Sequence, residues 1–417
     1  MNGRQGTDAL LPFARIYDAA VTDSTDLNAA FAVNAEQLHR AITLMASVPN
    51  AAATGLPSSL PDLGLGAAQT LDALAPSVLA GARDLGAPGF FAHMDPPTPW
   101  ITWAMQLWTS SRNQNLLHPD TAPEARQIEA RVIDWLAPSF GMSGGHMTPG
   151  STLANLTAIW AAREAGAHTV VSTGNAHLSV AKAAHLLGMF HRPVRNWDVV
   201  VSLEGCCAVI TAGATSTGEI EPLDAASGAL WRHVDAAWAG PLRLSDTHRH
   251  LLDGIEHADS ISVSAHKWLF QPKESAMVLF ADVAAAHHSV SFGADYLAVP
   301  NVGLLGSHGA SAVPLLATLL AYGRQGVVGW IDHSMELAAR LARQIDVEPD
   351  LEVRTVPQAG VVNWRHKSVD AGEVQRRLPA DVFISTTMID GEPWLRSVAA
   401  NPMADPQRVI AAVAGLS

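Results

Sequence analysis

A chain of 417 residues with 48% apolar and 16% charged residues is too apolar for a disordered protein and long enough for two or three domains around a sizeable core. Its formal charge of −13 opposes wrapping a polyanion or lying on an anionic bilayer, so neither nucleic acid nor a membrane is an expected partner. Only four lysines, Lys182, Lys267, Lys273 and Lys367, stand beside 22 arginines, which leaves few candidates for chemistry that needs an amine.

In chain order, residues 1 to about 95 combine helical periodicity ("FAVNAEQLHRAITLM") with Gly/Pro/Ser-rich connections ("AAATGLPSSLPDLGLG") and read as an arm with linkers. The start has no charged region followed by a long apolar stretch, and no uninterrupted apolar run reaches a membrane span, so a soluble, cytoplasmic protein is expected. A helix is predicted from Pro123 to Pro138, with proline suited to its entry and exit. From about 140 to 282, short β-rich runs ("HTVVS", "CCAVITA", "WRHVDAA", "SISVSA", "SAMVLF") alternate with helical or Gly-rich segments, the pattern of a mostly parallel sheet with crossover helices. Cys206 and Cys207 fall inside one of these runs as buried thiols, and cannot form a disulfide framework or a metal site. A long helix to about residue 345 precedes "LEVRTV", "GVVNWRH" and "DVFISTTMI", a smaller α+β domain. The predicted divisions are 1–95, 96–325 and 326–417.

Five features fall where such a sheet gathers ligands, beyond the carboxyl ends of its strands. In "GGHMTPGSTLANLTAIWAARE", Gly150, Ser151 and Thr152 form either a phosphate cradle at a helix N-terminus or an ordinary cap; neither the Walker A nor the GxGxxG pattern is present. Asp235 of "HVDAAWAG" is a carboxylate at an apolar strand end, where it meets either a protonated ring nitrogen or the donors of a neighbouring loop. His266 and Lys267 follow a strand directly in "ADSISVSAHKWLF", and a desolvated lysine there can form an imine with an aldehyde. Lys182 reads as a surface charge, and Lys273 and Lys367 have no comparable surroundings. His177, at a loop–helix junction, is a stacking ring or simply a polar helix start. The turn "TAGATSTGEIEPLD" is the fifth feature.

With "NQNLLHPDTAPEARQIEARVIDWL", "NAHLSVAKAAHLLG" and "WLRSVAANP", these segments stand in an order that resembles the group II pyridoxal-phosphate-dependent decarboxylases, the family of glutamate and aromatic L-amino-acid decarboxylases. The resemblance runs from about residue 85 to the C-terminus. It implies an α/β fold of type I, with a mostly parallel central sheet and a smaller C-terminal domain. It also implies pyridoxal 5'-phosphate as cofactor, no metal, and a homodimer with active sites at the subunit interface. By resemblance, Lys267 binds the cofactor aldehyde, Asp235 pairs with the pyridine nitrogen, and His177 stacks on the ring opposite Ala237. Gly150, Ser151 and Thr152 hold the phosphate, His266 sits beside Lys267, and Arg396 pairs with the substrate α-carboxylate. The segment with Gly306, Ser307 and His308 is expected to reach the neighbouring subunit's phosphate. Tyr296, the only tyrosine between "SAMVLF" and "GSHG", is the candidate for the proton supplied by the family's loop tyrosine.

The sequence departs from the family at "GSTLAN", where Ser151 replaces a glycine and Leu153 an acid, and at "GAT", where Ala214 removes a hydroxyl. Its mobile loop is also short. The expected reaction is decarboxylation of an L-amino acid to the amine and CO₂. Two alternatives accompany it: an aldehyde synthase or carbon–carbon lyase using the same cofactor, and an inactive structural homologue.

Overall fold

The computed structural model describes residues 30–47, 58–199 and 202–416. The first 29 residues of the expected arm, and residues 48–57 of its Gly/Pro-rich connection, lie outside the described residues. The described residues fall into two compact units, divided between Asp84 and Leu85.

In the first unit, helix α1 (Ala35–Ala46) starts where the Asn34 side chain accepts the Gln37 N–H at 3.1 Å. An Arg40–Asp72 ion pair joins it to α2 (Ala67–Ala75). Leu38, Ile42 and Met45 repeat at helical spacing along α1, and all three are exposed.

The second unit opens with α3 (Trp100–Arg112) and α4 (Pro123–Leu136), where Pro123 occupies the first turn as expected from the sequence. A seven-stranded sheet follows, built from β1 (Gly144–Thr148), β2 (Thr169–Thr173), β3 (Phe190–Val194), β4 (Cys206–Thr211), β5 (Trp231–Asp235), β6 (Ser260–Val263) and β7 (Ala276–Phe280) in the order β1-β7-β6-β5-β4-β2-β3. Strand β7 alone runs against the rest, pairing antiparallel with both β1 and β6. The central strands are β-branched and buried along their whole length because helices cover both faces; in β4 every residue from Cys206 to Thr211 is buried. Strand β3 ("FHRPV") is exposed and carries Pro193, as suits a sheet edge.

Helices α5 (Ser151–Glu164) and α6 (Leu178–Leu186) follow β1 and β2. Helix α7 (Val283–Ser289) leads into a short ribbon, β8 (Ser291–Phe292) with β9 (Asn301–Val302). Helix α8 (Ala312–Asp346) then kinks at Gly323, whose φ of 65° leaves the helical region; the expected boundary at 325/326 falls just past this kink. An antiparallel sheet of β10 (Leu351–Val353), β11 (Val361–His366), β12 (Ser385–Ile389) and β13 (Glu392–Val398), in the order β10-β11-β13-β12, closes the chain with α9 (Ala371–Arg377) and α10 (Pro406–Ala414).

Two tryptophans tie the two sheets together behind the site. Trp238 and Trp268 lie 4.1 Å apart by ring centroid. Their indole N–H groups donate to the carbonyls of Ala359 (2.6 Å) and Ala399 (3.3 Å), residues that flank the small sheet. Both rings are fully buried, so each stabilises the junction by burial and leaves no donor unpaired. Among the described residues no helix is long and apolar enough to cross a membrane.

Candidate active site

The carboxyl ends of β1, β2, β4, β5 and β6 open on a cavity of about 230 Å³. Its lining includes Gly150, Ser151, Thr152, His177, Asp235, Ala237, His266 and Lys267, eight of the residues singled out from the sequence.

Lys267 is placed by a tight turn. After β6 the Lys267 N–H donates to the Ser264 carbonyl (3.2 Å) and the Phe270 N–H to the Lys267 carbonyl (2.9 Å). The buried Phe270 adopts φ 58°, a conformation that a bulky side chain takes only where its surroundings impose it. Burial lowers the Lys267 pKa; Asp235 opposes that shift and Lys273 adds to it. The result favours a neutral amine, the form that attacks a carbonyl. His266 is pushed down to about 4, first by burial and then by Lys273 and Lys267.

Asp235 ends β5, beside Thr211 of β4 and Ser262 of β6. Its Oδ1 accepts from the Ala237 N–H (3.1 Å) and the Ser262 hydroxyl (3.3 Å), and its Oδ2 from Asn155 Nδ2 (2.7 Å). His177 caps α6: its Nδ1 accepts the Ser179 N–H at 3.2 Å and lies 2.8 Å from Ser179 Oγ. Partial removal from water lowers its pKa, and Asp235 opposes the shift.

Helix α5 begins without a side-chain cap, and Gly150, Ser151 and Thr152 turn its open N-terminus toward the cavity. Ser151 Oγ lies 2.6 Å from Ser264 Oγ. Two buried polar atoms of the lining, Thr211 Oγ1 and His266 Nδ1, have no protein partner. An uncapped helix N-terminus, orphaned polar atoms, a desolvated amine and a carboxylate together fit pyridoxal 5'-phosphate, which needs an anion cradle, an amine and an acceptor for its ring nitrogen.

Other sequence candidates stand apart from the cavity lining. Arg396 lies on β13; its Nε donates to Ser385 Oγ (3.1 Å) and its Nη1 to the carbonyl of Thr215 (2.9 Å), itself a lining residue. Tyr296 is 74% exposed, in the segment between β8 and β9, outside this cavity. Ser307 accepts from Asn115 Nδ2 at 3.1 Å and borders a different cavity. Lys182 is exposed, as expected.

Lys273, read from the sequence as isolated, is instead part of the site's field. It pairs with Asp95 and acts electrostatically on Lys267 and His266. Thr211, Gly213 and Thr215 of the turn "TAGATSTGEIEPLD" also line the cavity, as do Asn175 and Ser264, which the sequence reading passed over. Buried Glu221 holds two of them, accepting from the Thr211 N–H (2.8 Å) and Asn175 Nδ2 (3.3 Å). The acid in "GEIEP", at the end of the fifth motif, was the available signal.

Residues 202–367 match the family described as the pyridoxal-dependent decarboxylase conserved domain. The chain is 29% identical over 406 residues to the L-2,4-diaminobutyrate decarboxylase of Rhizobium meliloti (strain 1021), covering 84% of this chain and 81% of that one. It superposes with a TM-score of 0.77 and 21% identity on the glutamate decarboxylase domain of the diaminobutyrate-pyruvate transaminase and L-2,4-diaminobutyrate decarboxylase from Vibrio parahaemolyticus, covering 96% of this chain and 97% of that one. Oryza sativa TDC with PLP and tryptamine gives 0.79 at 21% identity, covering 91% and 96%.

The fold is therefore the α/β fold of type I of pyridoxal-phosphate-dependent enzymes, with a central sheet and a smaller C-terminal domain. Within that class the chain is similar to the group II pyridoxal-phosphate-dependent decarboxylases, and resembles their glutamate and aromatic-amino-acid branches.

Proposed function

We propose that the protein decarboxylates an L-amino acid to the corresponding amine, using pyridoxal 5'-phosphate. The observation that carries this reading is the convergence of Lys267, Asp235, His177 and the uncapped start of α5 on one cavity. When bound, the cofactor supplies an aldehyde for amines and a ring that draws electrons from the substrate Cα.

The chain's own residues divide the remaining work. The α5 N-terminus with Ser151 and Thr152 would bind the phosphate, Asp235 would accept the pyridine N–H, and His177 and Ala237 would flank the ring. Lys267 would hold the cofactor through its side-chain amine. Arg396 would pair with the substrate α-carboxylate and fix its orientation. Lys267 Nζ and His177 carry exchangeable protons in the cavity for the one that replaces CO₂ on Cα. Tyr296, outside its own chain's cavity, takes that role only across a subunit interface.

A homodimer goes with this reading. Helix α3 exposes Trp100, Trp103, Leu107 and Trp108 along one stripe, 63%, 47%, 43% and 64% exposed, and α1 has an exposed apolar stripe of its own. Aromatic surface of this kind is what subunit contacts cover. Light scattering should find a particle of twice the 44.0 kDa chain. A fully active monomer would reject the shared site.

The experiment for the reaction is incubation of the cofactor-loaded protein with L-2,4-diaminobutyrate, L-glutamate and L-tryptophan in turn, measuring CO₂, amine, aldehyde and ammonia together. Amine matching CO₂ supports decarboxylation. Aldehyde with ammonia supports the second reading, an aldehyde synthase. Borohydride reduction should fix the pyridoxyl group to Lys267, and attachment to Lys182, Lys273 or Lys367 would overturn the assignment.

A further inference from the structure

Behind Asp235 lies a chain of buried polar side chains that the proposed chemistry does not use. Asn155 projects from α5 and is fully buried, as is His233 on β5. Asn155 Nδ2 lies 2.7 Å from Asp235 Oδ2 and 2.9 Å from Ser179 Oγ, and its Oδ1 lies 3.0 Å from His233 Nε2. On its other side the His233 ring places Nδ1 2.9 Å from Ser260 Oγ, which also accepts the Trp231 indole N–H at 2.8 Å, and 3.2 Å from the Ser260 carbonyl oxygen.

With His233 neutral, the side-chain hydrogens in this chain have one arrangement. A carboxylate only accepts, so the Asn155 atom facing Asp235 is its nitrogen and the atom facing His233 is its oxygen. An amide oxygen also only accepts, so His233 carries its proton on Nε2. Burial lowers the His233 pKa, while Asp235 and the Ser260 carbonyl oppose the shift; in the neutral ring Nδ1 accepts from the Ser260 hydroxyl, and the Ser260 carbonyl beside it receives no ring proton. Every bond from Trp231 through Ser260, His233 and Asn155 therefore donates in the same direction and ends on Asp235. The second Asn155 N–H occupies Ser179 Oγ, which leaves the Ser179 proton for His177 Nδ1. His177 is thereby held with its own proton on Nε2. One amide, with both N–H groups and its oxygen bonded inside the protein, thus touches the carboxylate and, through one hydroxyl, the imidazole on the cavity.

We propose that Asn155 and His233 are positioning residues: together they fix the orientation of the Asp235 carboxylate and the tautomer of His177. This rests on the reading that Asp235 and His177 serve a bound pyridoxal ring. His233 and Asp235 are two residues apart on one strand and face the same side, and α5 carries both Asn155 and the phosphate-binding turn. The device therefore links phosphate grip, ring-nitrogen acceptor and stacking histidine through one rigid unit.

Two measurements test this on Asn155→Ala and on the pair His233→Gln and His233→Phe. In the cofactor-free protein, ¹⁵N NMR reads the His177 tautomer. The wild type should show Nδ1 as acceptor and Nε2 protonated, and Asn155→Ala should lose that preference. In protein loaded with ¹⁵N-labelled pyridoxal phosphate, the ring-nitrogen signal of Asn155→Ala should move toward the unprotonated value. Its kcat should fall about ten- to a hundredfold, with KM nearly unchanged. His233→Gln offers an N–H in place of Nε2–H and should recover most of what His233→Phe loses; this pair decides the matter should Asn155→Ala fail to fold. Wild-type signals and kcat in Asn155→Ala, or equal losses in His233→Gln and His233→Phe, would overturn the inference. Failure of the wild type to take up pyridoxal phosphate would instead overturn the functional reading, and the tautomer measurement would still judge the hydrogen-bond chain.

Discussion

Arg396 is held at two points, by Ser385 Oγ and the Thr215 carbonyl, and burial lowers its pKa while Asp95 opposes the shift. A guanidinium fixed this way presents a directional fork, whereas lysine presents a single mobile charge. Arg396→Lys should therefore lose about tenfold in kcat/KM and Arg396→Ala about a hundredfold or more, with cofactor absorbance retained in both. Near-normal kcat/KM in Arg396→Ala would leave this arginine a purely structural link between the small sheet and the Thr215 turn. Lys273 acts at longer range. It lowers the Lys267 pKa while its partner Asp95 raises it, so Lys273→Met should leave Lys267 more basic. Attachment of pyridoxal phosphate requires the neutral amine, so the pH at half-maximal attachment rate should rise. The rise should be a fraction of a unit, because Lys273 is exposed and screened. An unchanged or lowered midpoint would show that solvent cancels its influence.

At the level of elements, the turn carrying Lys267 depends on Gly360 just before β11. Its φ is +67°, and a Cβ there would stand 2.5 Å from Trp268 Cζ2, on the wall of the tryptophan pair. Gly360→Ala combines a left-handed backbone with overpacking and should cost about 2 to 5 kcal/mol, visible as a lowered urea midpoint at unchanged m. A loss below about 1 kcal/mol would mean that the ring shifts freely. The same elements show what could be read in advance. Runs such as "CCAVITA" and "SISVSA" announced β4 and β6 because strands covered on both faces are apolar throughout. Strands β1, β3 and β13 gave no such signal: β1 begins with two glycines, β3 is an exposed edge with Pro193, and β13 contains Pro393. Lys267, Asp235 and His177 were legible because each ends or follows a recognisable run. Asn155 was not, since only the fold brings α5, β5 and α6 together, and a polar residue within a helical pattern does not announce its burial.

For the whole molecule, three histidines, one buried and two half-buried, shape the response to acid. His146 is pushed down to about 3, and His233 and His266 to about 4, in each case chiefly by burial. Their ordinary value is 6.5, so between that pH and about 4 the unfolded chain binds protons that the folded chain refuses. Stability should consequently decline as pH falls from 6.5 toward 4, and the loss from His233 and His266 should level off below that range. Thermal unfolding of the cofactor-free protein across this range checks the sign, and a Tm that is flat or rises on acidification would contradict it.

The fully buried strand β4 gives the protein a built-in reporter of its own opening. Both cysteines lie on it, 3% and 0% exposed, and burial pushes the Cys207 thiol up, out of its nucleophilic form. A thiol reagent therefore meets Cys207 only in molecules whose central sheet has come apart, and the labelling rate measures how often that happens. Any molecule that binds the native fold alone slows the labelling in proportion to one plus its concentration over its Kd. Candidate cofactors and substrates can thus be ranked by the time taken to modify one thiol, before any turnover has been observed.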